Sequence, residues 1–208
     1  MLPGSETATG ALATGGINTV EVDQRIFLYS VSWERYQALR ALLDDVAGLR
    51  MTYLEGTLEI MSPSRTHECV KSLVSRLVEM YAAERDIPLY CYGSMTFRKE
   101  ARERGLEPDE CYAVGTDMRD FPDIAFEVEV TGGGLDKLSV YLGLGVPEVW
   151  LWRGGRILIH ELVDGGYQPR ERSPHLPELD VAALASLSNA ADQVAAVRAW
   201  RDLLRKGG

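Results

Sequence analysis

One stretch, Pro122-Asp123-Ile124-Ala125-Phe126-Glu127-Val128-Glu129-Val130, narrows the possible folds more than any other. On an extended chain successive side chains alternate, so Asp123, Glu127 and Glu129 share one face and Ile124, Phe126 and Val128 the other. The apolar face requires a packed layer against it. The acidic face is a poor design for stability alone, because carboxylates held together repel and raise one another's pKa. A divalent cation is the usual compensation.

The 208 residues suffice for one well-packed domain and are short for two. Twenty-two Lys and Arg against 31 Asp and Glu give a formal charge of -9, which argues against a general polyanion binder but leaves room for local basic patches. Cys69, Cys91 and Cys111 show no paired or CxxC spacing, so neither a disulfide framework nor a zinc site is indicated, and a cytoplasmic location is expected. Neither a signal-peptide pattern nor an apolar run of membrane-spanning length is present.

In chain order, residues 1–19 read as a disordered Gly, Ala, Thr and Ser tail, and the rest as a single domain. Ser32 caps a helix that runs towards Gly48, and residues 50–61 form a hairpin around Glu55-Gly56. A long helix over 66–85 carries the stripe Val70, Leu73, Val74, Leu77, Val78 and Tyr81. Glu68 lies in its first turn, where the helix dipole favours an acid for purely structural reasons. Strand signals follow at 89–92, 95–98, 110–114 and 124–130, with a polar run of four basic residues over 98–105. Gly132-Gly133-Gly134 introduces a helix over 135–144, although neither GxxxxGK[ST] nor GxGxxG is present. Strands over 148–152, 156–162 and 166–172 and helices over 179–187 and 190–204 complete the chain. Trp150, Trp152 and the apolar 179–204 region offer surface for a homodimer.

The pattern is α/β, with a mixed central sheet flanked by helices. It resembles the PD-(D/E)xK nuclease superfamily and, more closely, its Uma-two family of candidate restriction endonucleases. The resemblance spans roughly residues 20–170. It is carried by Tyr53 to Pro63 with His67-Glu68, by Glu107-Pro108-Asp109-Glu110-Cys111, by Pro122 to Val128, and by Asp136-Lys137-Leu138 with Tyr141, Gly145-Val146 and Glu148-Val149-Trp150.

The resemblance implies a restriction-endonuclease-like fold and a Mg²⁺- or Mn²⁺-dependent endonuclease acting on DNA. Asp109 is similar to the superfamily's metal-binding aspartate and Glu127 to the acid of its (D/E)xK half, with Asp123 a further ligand or supporting residue. Where the pattern has lysine two residues after that acid, this chain has Glu129, and Lys137 on the following helix is the matching cation. Glu68 or His67 corresponds to the helix-borne residue that many members add. Phosphodiester hydrolysis suits this set, since oxygen ligands hold a hard cation and a nearby ammonium stabilises developing charge. Two alternatives stand beside it: a catalytically silent binding or regulatory protein, which Glu129 and the acidic charge favour, and a hydrolase of smaller phosphoesters.

Overall fold

Two β-sheets clasp one helix, and three further helices close the outer face of the larger sheet. The structure, a computed structural model, describes residues 22–100, 103–117 and 119–206; the expected tail over 1–19 lies outside the described residues. Sheet one is ordered β1-β3-β2-β6-β5, from β1 (Gln24–Leu28), β2 (Arg50–Leu54), β3 (Thr57–Ser62), β5 (Phe97–Lys99) and β6 (Arg104–Leu106). Sheet two is ordered β11-β10-β9-β8-β7-β4, from β4 (Leu89–Cys91), β7 (Glu110–Val114), β8 (Ile124–Glu129), β9 (Glu148–Arg153), β10 (Arg156–Val163) and β11 (Gly166–Arg170). Among the described residues every pairing is antiparallel except β8 with β9, which are joined through α3 (Lys137–Leu144). A parallel pair needs such a crossover.

The architecture is mixed α/β, with sheet two as the helix-flanked central sheet. Its outer face packs α2 (Arg65–Glu84), α4 (Val181–Leu187) and α5 (Gln193–Lys206). Ile124, Phe126 and Val128 lie in that core with Val70, Leu77 and Trp200. The opposite face of β8 presents Ala125 to α3, which is wedged between the sheets among Phe97, Leu106, Val149 and Leu151. The β8 alternation therefore separates a dry apolar face from one on which acids sit beside a helix.

Local signals place most elements. Ser32 caps α1 (Trp33–Leu42), which stops at Leu43 rather than continuing to Gly48. Ser64 caps α2 by accepting the His67 amide. Glu55 and Gly56 both have positive φ, as the tight turn between β2 and β3 requires. The strands β4 and β5 do not form a hairpin with each other, because each joins a different sheet.

Trp150, Trp152, Leu179, Trp200 and Leu204 are all buried within the chain. Of the apolar 179–204 region, Val194 and Leu203 remain exposed. Among the described residues, no helix is long and apolar enough to cross a membrane.

Candidate active site

The register of β7 against β8 pairs Glu110 with Phe126, and one step further along it brings Asp109 across from Glu127. Cross-strand partners share a face, and both carboxylates are buried. Asp109 is fixed on two sides. Its Oδ2 accepts the Val128 amide at 2.8 Å, and its Oδ1 lies 2.9 Å from Nε2 of His67. That Nε2–Oδ1 contact is an ion pair whenever the imidazole is protonated. Nδ1 of His67 lies 3.3 Å from Oδ2 of Asp23, whose Oδ1 accepts the Ser64 amide at 2.8 Å. A single imidazole thus links the chain entering β1 to the start of β7.

Glu127 accepts a hydrogen bond from the Tyr141 hydroxyl and lies 3.5 Å from Nζ of Lys137. Asp136 caps α3 by accepting the Leu138 amide, which sets Lys137 in the first turn with Tyr141 one turn further on the same face. Nζ of Lys137 also donates to Oγ1 of Thr52 at 2.9 Å, a contact from sheet one.

The electrostatics follow from burial and charge. Burial opposes ionisation of Asp109, but the His67 contacts prevail and hold its carboxyl below the usual range. Burial lifts Glu127; Lys137 only partly offsets this, and Asp109 adds to it, so the net shift is upward. Burial would lower Lys137, yet Glu127 and Asp109 raise it, so the ammonium stays charged. His67 rises to about 9 because Asp109 and Asp23 outweigh its burial. Contacts with His67 and the Ser64 amide take Asp23 down to about 2 against its own burial.

Over Glu127 opens a cleft of about 570 Å³. Its walls include Arg25, Glu59, Glu129, Arg153 and the Gly132-Gly133-Gly134 loop. Glu59 accepts the Leu135 amide at 2.6 Å and Nε of Arg25 at 3.0 Å, while Arg25 also bonds Asp23 and Thr131. A Cβ on Gly134 would come within 3.3 Å of the Glu59 carboxylate, so the loop lies close against sheet one.

The fold brings together Asp109, Glu127 and Lys137, and adds His67. Asp123 and Glu68 are placed elsewhere. Asp123 precedes β8, roughly 13 Å along the chain from Glu127 at strand rise, and its carboxylate accepts the Val114 amide and pairs with Arg119. Its even spacing from Glu127 fixes a face but not a position along the strand. Glu68 pairs with Lys71 at 2.5 Å on the more open side of α2. Sequence reasoning assigns no site role to Asp23, Arg25, Thr52, Glu59 or Tyr141; of these only Tyr141, four residues after Lys137, has a readable signal.

Among the described residues no three His, Cys, Asp or Glu side chains form a cluster able to hold a metal ion. Asp109 and Glu127 still suit a hard cation that retains water. Each carboxylate oxygen has two lone pairs, and the contacts described leave acceptor capacity on both groups. Mg²⁺ is commonly held by one or two carboxylates together with water and substrate phosphate.

Residues 33–195 match the model of the family Uma2, described as "Putative restriction endonuclease". The chain belongs to the Uma2 family. No curated protein matches it. The two sheets and their helices form a mixed α/β architecture consistent with a restriction-endonuclease-like fold, and the Uma2 match runs from α1 into α5, including every residue of the Asp109, Glu127 and Lys137 set.

Proposed function

We propose that this Uma2 protein is a Mg²⁺- or Mn²⁺-dependent endonuclease that hydrolyses phosphodiester bonds in DNA, with Asp109 and Glu127 as the metal-holding carboxylates. One observation carries the reading: a largely buried, charged lysine, Lys137, only 11% exposed, held 3.5 Å from one of two neighbouring buried acids at the floor of an open cleft. Lone structural lysines prefer water, and burying one beside two carboxylates is costly unless the arrangement serves a purpose. A bound divalent cation would neutralise the scissile phosphate and acidify a water. Lys137 remains protonated through its acidic neighbours, so it orients water and stabilises the pentavalent phosphate rather than removing a proton. Tyr141 and Thr52 hold Glu127 and Lys137 in place, while His67 holds Asp109. Three unpaired cysteines fit a reducing compartment such as the cytoplasm.

The test is incubation of supercoiled plasmid with Mg²⁺, Mn²⁺ or chelator, alongside calorimetric titration of Mn²⁺ into the parent protein and Glu127→Gln. Nicking or linearisation that needs metal, and that disappears with the Mn²⁺ heat in Glu127→Gln, is expected. Intact plasmid under all conditions, with no Mn²⁺ binding, overturns the proposal.

A further inference from the structure

Among the described residues, three cations line the cleft over Glu127: Arg25, Lys137 and Arg153. Two of them are committed. Arg25 is 12% exposed and divides its nitrogens among Asp23, Glu59 and Thr131. Lys137 is 11% exposed and is held by Glu127 and Thr52. Turning either towards a ligand would leave a buried carboxylate unpaired, which is strongly unfavourable.

Arg153 is placed differently. Its side chain is 53% exposed, and its partner Glu129 is 21% exposed. The two are register partners at the ends of parallel strands β9 and β8 and meet side by side, with one Nη 3.0 Å from Oε1 and Nε on Oε2. Exposed pairs of this kind add little net stability. The guanidinium fork fits a phosphate as well as it fits a carboxylate. Exchanging one acceptor for the other therefore costs little. Glu129 lies two residues beyond Glu127, on the same face and roughly 7 Å further along the strand. A phosphodiester chain lying over Glu127 and Lys137 would next pass Arg153.

We infer that Arg153 is a seat for a nucleic-acid phosphate flanking the Glu127–Lys137 centre, and that Glu129 is the resident counter-charge which that phosphate displaces. This rests on the nuclease reading. It also gives Glu129 a role at the position where the superfamily pattern has lysine: it occupies the guanidinium when no nucleic acid is present and so weakens binding. The displaced carboxylate, already partly exposed, moves into water rather than into the core.

The test uses fluorescence anisotropy of a labelled duplex DNA, with Ca²⁺ in place of Mg²⁺, over a series of KCl concentrations. Arg153→Gln and Glu129→Gln are compared with Arg170→Gln and Glu161→Gln. The Arg170–Glu161 pair is also exposed, at 37% and 30%, and makes the same charge changes outside the cleft. Arg153→Gln should weaken binding several-fold and flatten the log–log salt slope by about 0.9, the loss of one phosphate contact. Glu129→Gln should tighten binding several-fold. The control variants should shift affinity by no more than about twofold, as expected of charges remote from the contact. If Arg153→Gln behaves like Arg170→Gln, or Glu129→Gln like Glu161→Gln, while the parent binds DNA, the seat is refuted and the nuclease reading stands. If the parent shows no salt-sensitive binding, both fall together.

Discussion

Lys137 donates to Thr52 Oγ1 at 2.9 Å, so the ammonium that faces Glu127 from sheet two is held in place by a hydroxyl from sheet one. The Glu127–Lys137 arrangement is thus assembled only when the two sheets meet. Thr52→Val keeps the shape and removes the acceptor. A hydrogen bond to a charged group contributes about 1.5–3 kcal/mol, so denaturant unfolding should show a loss of that order, with Thr52→Ser restoring most of it. Equal stability of Thr52→Val and parent would mean that this bond does not hold the lysine.

Lys137→Ala should leave Mn²⁺ affinity nearly unchanged and lower DNA cleavage by roughly 10²-fold or more, the scale of losing one transition-state donor. Lys137→Arg keeps the charge without the compact ammonium and should recover only part of the rate. Single-turnover cleavage beside calorimetric metal titration separates the two effects. Undiminished cleavage by Lys137→Ala would remove the lysine from the mechanism.

Much of this site is legible in short-range periodicity. The two-residue alternation through β8 gives Glu127 its face, and a helix starting just after that strand brings Lys137 back to it. The stripe on α2 carries a further signal: His67 lies three residues before Val70 and seven before Val74, which puts it on the buried side with Leu77, Val78 and Tyr81. Glu68, one residue later, is turned roughly 100° away from His67 around the helix axis. The helical period alone therefore favours His67 over Glu68 as the residue that reaches the site.

What stays hidden depends on long-range packing. Asp23, Arg25, Thr52 and Glu59 reach the site only because sheet one lies against the 131–135 loop and the start of α3, and no local spacing encodes that contact. The three-residue β6 reads as polar loop because a strand so short carries too little alternation to be seen.

Gly105, in β6, should not tolerate a side chain. A Cβ there would meet the Tyr36 hydroxyl at 2.5 Å and its ring at 3.0 Å. Tyr36 cannot retreat, because it is fully buried and stacked on Tyr53 with ring centroids 4.8 Å apart. Gly105→Ala should therefore cost about 1–3 kcal/mol of stability, as overpacking does. An unchanged denaturation midpoint would show that the Tyr36 pocket yields more easily than this stacking implies.

Stability should fall on the alkaline side through His67. Its pKa is about 9 in the folded protein against 6.5 for the unperturbed side chain, so between those values the folded state binds the proton more tightly. The stabilisation is complete below about pH 6.5 and is lost as pH rises through about 9, a change on the order of a few kcal/mol. Asp23 works in the opposite direction: with its pKa lowered from 3.8 to about 2, its contribution is present above 3.8 and disappears as pH falls through 2. Urea denaturation at about pH 6 and about pH 9 should show the parent losing stability at the higher pH, with His67→Gln losing much less. Should His67→Gln fail to fold, an NMR titration of the parent's histidines gives an independent measurement, and a buried imidazole titrating near 9 is expected. Equal parent stability at the two pH values, or a His67 that titrates near its ordinary 6.5, would show that the Asp23 and Asp109 carboxylates do not hold an imidazolium between them.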